Sequence, residues 1–151
     1  MTNTWIFQGN PEIFDVNVGV NQLKRLNWGV RQHKNEIKEG DQVYIWISGR
    51  NAGIVAVATI TSSPGYYTDG PDEVELYPGG PPPKFQGRQL RVYLRINNVL
   101  RTRITRLELL SHPILRDLAI LRMPRATNFW VSPQQARGLE SIVNERTDEA
   151  A

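Results

Sequence analysis

The sequence predicts an α+β fold in which a β-sheet is flanked by short helices. Residues 40–60 have the pattern of two consecutive strands joined by a turn that contains glycine. Residues 89–100 alternate between apolar and polar side chains, which is typical of a strand with one buried face. Residues 132–143 begin with a helix-capping pattern and continue with apolar side chains at helical spacing. The 151 residues are the size of one ordinary domain.

The segment before the first long strand is predicted to contain only short elements. Its apolar residues come in brief runs, and Pro11 and Gly19 interrupt them. In order, the predicted elements are a strand at 4–8, a helical turn at 11–14, a short helix within 15–25, a brief strand at 28–30 and a helical turn at 33–38.

The pattern at 40–60 predicts a β-hairpin. The alternating faces of its first strand are Val43, Ile45 and Ile47 on one side, and Tyr44, Trp46 and Ser48 on the other. The return strand at 54–60 carries no charge and is predicted to be buried on both faces. We expect the aromatic face to lie opposite Ala56 and Ala58. Large side chains facing small ones can leave a slot, although periodicity alone does not distinguish a slot from a packed core.

A surface loop is predicted at about 62–87. Its stretch at 77–83, YPGGPPP, cannot continue a helix or a central strand. The loop is either a flap that closes over a site or an ordinary long insertion. Acidic residues at 69–75 precede the proline cluster and can shield or compete for the basic segment that follows.

The remaining elements are a strand and two helices. In the strand at 89–100, Arg91, Tyr93 and Arg95 are predicted to face outward. A short helix is predicted to include Leu115 and to end before Pro124. The last helix begins with Ser132 as its N-cap, and the charged tail after Asn144 is expected to fray. Its predicted apolar face is Ala136, Leu139, Ile142 and Val143.

The charge distribution indicates a polyanionic partner or a solvated basic face. The net charge is +3, but residues 84–125 contain ten basic side chains and two acidic ones. Nine of the ten are arginine, whose planar guanidinium suits phosphate oxygens and can stack on bases. The sequence contains no cysteine and two histidines, so no metal site or cofactor is expected. It also contains no apolar run long enough for a membrane span, and we expect a cytoplasmic protein.

Binding is better supported by the sequence than catalysis. No nucleophile motif, phosphate-binding loop or metal-spaced carboxylate set is present, and we assign no catalytic residues. Four tryptophans are many for a domain of this size. Trp5 and Trp130 are predicted to be core residues, whereas Trp28 and Trp46 adjoin polar residues and are candidates for an aromatic pocket. Such a pocket suits a flat base, because stacking on an aromatic ring contributes about 1–3 kcal/mol per base.

Several segments in the same order resemble the EVE domain, a member of the PUA-like superfamily related to YTH domains. The segments that carry this resemblance are WIFQGNPE (5–12), WGVRQH (28–33), IKEGDQVYIW (37–46), SGRNAGIVA (48–56) and TNF (127–129). The resemblance covers nearly the whole chain and implies a curved or barrel-like mixed β-sheet. It further implies recognition of a modified base, since EVE domains are associated with cytosine derivatives in DNA and YTH domains with methylated adenine.

The resemblance also implies site residues. Trp28 is similar to the cage tryptophan that follows the first helix in YTH domains, and Ser48 to the serine that ends the first strand of the hairpin. Trp46 joins them by strand parity, whereas Gln8 and Asn10 are expected near the edge of the base. Asn128 is a further candidate on the loop before the last helix. The proline cluster at 78–83 departs from the compact pattern of the family.

We therefore expect a non-enzymatic module that holds a flipped, modified base, with DNA favoured over RNA as the partner. Its predicted phosphate contacts are Arg31, Arg50, Arg91 and Arg95. An RNA-binding module without modification specificity is an alternative, and it would bury Trp28 and Trp46. A small nucleotide-processing enzyme is another, and it would place a titratable residue deep in the pocket.

Overall fold

The computed structural model describes residues 2–150, which form one continuous β-sheet with helices packed against it. The strands are β1 (Thr4–Gly9), β2 (Arg25–Gly29), β3 (Gln42–Ile47), β4 (Gly53–Ile60), β5 (Gly65–Tyr67), β6 (Gln89–Thr105) and β7 (Asn128–Val131). The helices are α1 (Val16–Gln22), α2 (Pro71–Val74), α3 (Arg106–Leu110), α4 (Ala119–Arg122) and α5 (Pro133–Ala150). Two 3-10 turns cover Pro83–Phe85 and Leu115–Asp117.

The sheet is mixed and curled, as predicted. Its strand order is β2-β6-β4-β3-β1-β7, and β5 pairs with β6 beside this path. β1 runs parallel to β3, whereas the other neighbouring strands are antiparallel. Trp28 of β2 nevertheless contacts Gly9 of β1, although three strands separate β2 from β1 in the sheet order. The sheet therefore curves far enough to bring these two strands together.

Each face of the sheet has its own hydrophobic core. The inner core fills the curled side and includes Phe7, Trp28 and Ile45. The outer core lies between the opposite face and the C-terminal helices, and it includes Trp46 and Leu139. The predicted apolar face of α5 packs in this outer core. Ser132 caps α5 as predicted, because its Oγ accepts from the Gln135 N–H at 3.1 Å.

The predicted hairpin is confirmed, but the predicted slot is wrong. Tyr44 and Trp46 are only 1% and 3% exposed, because the outer core covers their face of β3. Ala56 lies opposite Ile45, and Trp46 lies opposite Ile54. Directly opposed residues share a face of the sheet, so the alanines belong to the inner core with the aliphatic face of β3. The pairing of β3 with β4 also shifts its register between Ile45 and Trp46.

Other local predictions differ from the structure in identifiable ways. α1 ends at Gln22 because β2 already begins at Arg25. The single helix predicted near Leu115 is instead the 3-10 turn followed by α4. Trp5 is buried as predicted, but Trp130 is 46% exposed because β7 is an edge strand. The C-terminal tail after Asn144 was expected to fray. The side chains beyond residue 146 are not described, and fraying of this tail stays a prediction.

Candidate functional site

A cavity of about 710 Å³ opens where the curled sheet brings β1 and β2 together. Six parts of the chain line it: the end of β1, residues 13–14 before α1, the end of β2 with the residues that follow, Ser48 after β3, parts of the segment from Tyr66 to Arg91, and the loop 124–127. This volume lies within the range of about 300–1,000 Å³ that is usual for small-molecule and cofactor pockets. The cavity is therefore large enough to hold one flat heterocycle.

Trp28, a predicted base-binding residue, lines this cavity from β2. Its side chain is 8% exposed and packs closely against Gly9. A Cβ atom at Gly9 would lie 3.0 Å from Trp28 Cζ2 and 2.8 Å from Val16 Cγ2, so neither atom leaves room for a side chain. The absence of a side chain at Gly9 thus lets the indole pack against the β1 backbone.

A second aromatic surface lines the cavity, and the sequence analysis did not identify it. Phe14 and Tyr77 form an edge-to-face pair with ring centroids 5.0 Å apart, and Phe85 lies 6.4 Å beyond Tyr77. We call Phe14, Tyr77 and Phe85 the aromatic wall. Tyr77 and Phe85 flank the proline cluster, but no periodicity in that loop indicated that they return to the sheet. The one sequence signal for this part of the wall was the position of Tyr77 and Phe85 on either side of the proline cluster.

The loop that carries Tyr77 and Phe85 of the wall is anchored through Arg91. Arg91 Nη1 donates to Asp69 Oδ1 and to Asn27 Oδ1, both at 2.5 Å. Arg91 Nη2 donates to the Phe85 carbonyl oxygen at 2.8 Å. The Arg91 and Asp69 side chains are 5% and 8% exposed, so this ion pair is buried. The acidic part of the loop does neutralise a residue of the basic segment, as the sequence suggested.

Glu73, on α2 within the same loop, ties the loop to Asn27 of β2. Glu73 Oε2 accepts from the Asn27 backbone N–H at 2.8 Å and from Asn27 Nδ2 at 2.6 Å. Asn27 in turn accepts from Arg91, so the two carboxylates belong to one network. Every buried side-chain nitrogen and oxygen in the described part of the chain has a hydrogen-bond partner. The network is therefore fully satisfied, which is the condition for a buried polar cluster to be rigid.

The hydroxyl of Tyr77 joins this network at the cavity wall. It donates to Asp69 Oδ2 at 2.8 Å. Burial and this hydrogen bond raise the pKa of Tyr77 above its ordinary value. The hydroxyl therefore stays protonated near neutral pH and acts as a fixed hydrogen-bond donor.

The cations free to meet a ligand lie around the cavity mouth. Arg31, Lys84 and Arg125 line the cavity and are exposed. Arg31 Cζ lies 5.3 Å and Lys84 Nζ 5.1 Å from the centre of the Phe85 ring. The interior cation, Arg91, is paired, whereas these three make no salt bridge in the described structure. We call Arg31, Lys84 and Arg125 the rim cations.

Three further candidate base contacts, Ser48, Gln8 and Asn10, line the same cavity. Gln8 Nε2 donates to the carbonyl oxygens of Pro124 and Ala126, at 2.9 and 2.7 Å. Asn10 Oδ1 accepts from the Glu12 N–H at 2.9 Å. These bonds fix both amide orientations, because an amide oxygen cannot donate and an amide nitrogen cannot accept. Gln8 Oε1 and Asn10 Nδ2 have no partner among the described residues.

Asn128 and Trp46 do not line the cavity. Asn128 Oδ1 accepts from the Arg31 and Gln32 N–H groups, and its Nδ2 donates to the Gly29 carbonyl oxygen. Asn128 is 1% exposed, so it holds the segment after β2 in place without facing a ligand. Trp46 lies in the outer core, on the face of the sheet opposite Trp28. The structure thus keeps Trp28 in the expected pocket and separates Trp46 from it.

The four arginines predicted to contact phosphate occupy different surroundings. Arg31 is a rim cation, whereas Arg91 is 4% exposed and fully engaged inside. Arg50 and Arg95 are exposed but lie outside the cavity. Lys84 and Arg125 were not singled out, although both belong to the basic segment of 84–125.

Metal-site and membrane-helix geometries are absent from the described residues. No group of three or more His, Cys, Asp or Glu residues is placed to hold a metal ion. Within residues 2–150, no helix has both the length and the apolar character needed to cross a membrane.

The curled mixed sheet with its flanking helices is a PUA-like α+β fold. The EVE domain family model matches residues 3–142, and the chain belongs to this family. Among curated proteins, no sequence matches this one.

Three solved structures illustrate the shared fold. A hypothetical protein from Leishmania major is 19% identical with a TM-score of 0.71, covering 97% of this chain and 98% of its own. A protein from Rhodopseudomonas palustris is 19% identical with a TM-score of 0.68, covering 95% and 94%. Human THYN1, in complex with 5-methylcytosine-containing DNA, is 17% identical with a TM-score of 0.67, covering 93% and 97%.

Proposed function

We propose that this protein is a non-enzymatic reader of modified DNA that holds a flipped base, with a modified cytosine as the preferred ligand. The observation that carries the proposal is the cavity itself, in which Trp28 and the aromatic wall surround a space of about 710 Å³. The complex of human THYN1 with 5-methylcytosine-containing DNA supports this choice of partner, because THYN1 shares the fold.

The aromatic surfaces supply the attraction for the base. Flipping a nucleotide out of a duplex costs a few kcal/mol. Stacking on an aromatic side chain contributes about 1–3 kcal/mol per base, and it tolerates an added methyl group. Contact with both Trp28 and the wall can therefore offset the cost of flipping.

The free amide atoms favour an amino-bearing base. Gln8 Oε1 is an unused acceptor and Asn10 Nδ2 an unused donor at the same cavity. The exocyclic amine of a base can donate to Gln8 Oε1, and a ring nitrogen or carbonyl oxygen of the base can accept from Asn10 Nδ2. Cytosine and adenine both offer this pair of groups. The hydroxyl of Ser48 is a further polar contact in the cavity.

The rim cations are the primary phosphate contacts in this proposal. A flipped nucleotide leaves its phosphates at the cavity mouth, where Arg31, Lys84 and Arg125 are exposed. Phosphate contacts position the nucleic acid without reading its sequence. Arg50 remains a candidate for a contact farther along the strand.

The test compares two tryptophan variants on matched duplexes. If only the modified base is held in the pocket, Trp28→Ala should lower the affinity for a duplex with one central 5-methylcytosine by at least about fivefold, the lower limit of one stacking contact, and leave the affinity for the unmodified duplex unchanged. Trp130→Ala is the matched control, since Trp130 is exposed on β7 outside the cavity. Fluorescence anisotropy titrations at fixed salt give both affinities.

Thermal unfolding of each variant establishes that the comparison is between folded proteins. An unchanged preference in folded Trp28→Ala would contradict the pocket. Replacing the central 5-methylcytosine by other modified cytosines and by N6-methyladenine then identifies the preferred ligand.

The two alternatives make different predictions for the same site. Trp28 and Trp46 are both buried, as expected for an RNA-binding module without modification specificity, although Trp28 also lines the cavity. Such a module would bind unmodified single-stranded RNA as tightly as modified DNA, and would be insensitive to Trp28→Ala. A nucleotide-processing enzyme needs a proton-transfer group in the cavity. The titratable groups that line its interior, Asp69 and Tyr77, are hydrogen-bonded to each other, and Asp69 is also paired with Arg91. This arrangement favours binding over catalysis.

A further inference from the structure

We infer that Arg91 is a positioning residue that holds Tyr77 and Phe85 of the aromatic wall at the cavity that Trp28 also lines, and that Asp69 transmits part of this effect. The inference rests on the proposed function, because the wall matters only if the cavity receives a base. It assigns to Arg91 a role in specificity that differs from the phosphate contact expected from its charge.

The first argument is the set of groups that Arg91 joins. Its guanidinium contacts Asp69 near the start of the loop, Phe85 near the end of the loop, and Asn27 on β2. These contacts fix both sides of a segment that contains three consecutive prolines and two adjacent glycines. Because β6 is a central strand, Arg91 ties this segment to the rigid part of the fold.

The second argument is that the contacts of Arg91 lead to two of the three rings of the wall. Arg91 Nη2 holds the Phe85 backbone directly, at 2.8 Å from its carbonyl oxygen. Arg91 Nη1 holds Asp69, whose other oxygen accepts from the Tyr77 hydroxyl at 2.8 Å. The Arg91 side chain therefore fixes the position of the Phe85 backbone and, through Asp69, the orientation of the Tyr77 ring.

The third argument is that Arg91 has little capacity left for phosphate. It is 4% exposed, and its charge is matched by a carboxylate at 2.5 Å. A buried ion pair is weak evidence for added stability, but its fixed geometry can select one conformation. Lysine cannot replace this function, because its ammonium lacks the planar fork that reaches several acceptors in fixed directions.

Arg95 provides a matched control on the same strand. It lies four residues from Arg91 and therefore on the same face of β6, but it is exposed and its side chain donates only to Asn97 among the described residues. The substitutions Arg91→Lys and Arg95→Lys thus make the same chemical change in a buried and in an exposed setting.

Asp69→Asn separates the two possible roles of Arg91 by the sign of its effect. If Arg91 positions the wall, loss of the carboxylate loosens Tyr77 and lowers the preference for modified DNA. If Arg91 were a phosphate ligand that Asp69 restrains, removal of the carboxylate would release a cation and tighten binding to modified and unmodified DNA alike.

The experiment measures two quantities for the wild type, Arg91→Lys, Asp69→Asn and Arg95→Lys. The first is amide hydrogen exchange over 66–86 in the free protein, and the second is the affinity ratio for duplexes with and without a central 5-methylcytosine. We expect faster exchange in Arg91→Lys and Asp69→Asn. We also expect their affinity ratio to fall about fivefold or more, because only the duplex whose modified base is held in the cavity loses a stacking contact. Arg95→Lys should leave both quantities at their wild-type values.

Each failure has a distinct meaning. Unchanged exchange in both Arg91→Lys and Asp69→Asn, or tighter binding of Asp69→Asn to both duplexes, would overturn the positioning role. A wild-type protein that shows no preference between the duplexes would instead contradict the proposed function, and hydrogen exchange would still decide whether Arg91 holds the loop. Urea unfolding confirms that each variant is native under the conditions used.

Discussion

At the scale of single residues, the cavity depends on a pair that is distant in sequence, Gly9 and Trp28. The indole occupies the space that a side chain at Gly9 would need, and Val16 closes the same space from the other side. A tightly packed interior has no spare volume, so even one methyl group forces its neighbours to move. The orientation of Trp28 is thus determined as much by Gly9 as by β2.

Gly9→Ala should therefore destabilise the fold by about 1–3 kcal/mol, the usual cost of overpacking a core. The added Cβ would lie 2.8 Å from Val16 and 3.0 Å from Trp28, both buried side chains. Gly79→Ala is the control, because no heavy atom lies within 4 Å of a Cβ at that position. Urea unfolding followed by far-ultraviolet circular dichroism measures both. Equal stability of Gly9→Ala and wild type would contradict the tight contact.

Residue-level predictions from sequence were wrong where a distant segment determines the surroundings of a side chain. Trp28 and Ser48 were candidates through the family resemblance; both line the cavity, and their contact with a base stays a prediction. Arg91 was expected to reach solvent because its parity on β6 points outward. Its burial results from Asp69, 22 residues away, which no local pattern reveals.

At the scale of elements, the hairpin β3–β4 separates the two cores. Strand periodicity identified one buried face of β3, but the other face is buried as well, because α5 packs over it. The apolar face of α5 was itself evident from the sequence. What the sequence left open was which face of the sheet this helix covers, and that choice decides whether Trp46 lines a pocket or fills a core.

The loop between β4 and β6 is the element least accessible to sequence analysis. Its prolines and glycines predicted a surface loop, yet it contains β5, α2 and a 3-10 turn, and it supplies two rings of the wall. Such a segment gains its conformation from tertiary contacts, since short helices and three-residue strands are marginal alone. Glu73 is the main contact of its first half with β2.

Glu73→Gln should loosen this element and lower the free energy of unfolding by about 1–3 kcal/mol. Glu73 uses acceptor atoms toward Gly70 and twice toward Asn27. A glutamine there would present an N–H group to at least one of these donors and leave it unsatisfied. The exposed neighbour Glu75 gives the control Glu75→Gln.

Hydrogen exchange and urea unfolding measure these two effects for both glutamate variants. We expect faster exchange over 66–77 in Glu73→Gln alone. The same exchange rates in the two variants would show that the Asn27 contacts do not hold the loop.

At the scale of the whole molecule, the fold separates the aromatic lining of the cavity from the unpaired charges around it. The curled sheet encloses aromatic surfaces and places its one interior cation in an ion pair, whereas the unpaired rim cations surround the mouth. The family resemblance implied the curved sheet, but it placed the pocket against the aromatic face of the hairpin, which the outer core covers. It did not imply the wall or the rim, because those depend on how the 62–87 loop and the 124–127 loop return to the ends of β1 and β2.

This separation predicts that salt dependence and base preference can be changed independently. Each phosphate neutralised on duplex DNA contributes about 0.9 to the slope of log affinity against log salt. Arg125→Gln should therefore reduce the steepness of that slope by about 0.9 for modified and unmodified duplexes alike, and leave their affinity ratio unchanged. Arg116→Gln removes an equally exposed arginine from the 3-10 turn at Leu115–Asp117, outside the cavity, and should alter neither quantity. Titrations at four salt concentrations measure both, and a changed affinity ratio with an unchanged slope in Arg125→Gln would place Arg125 against the base.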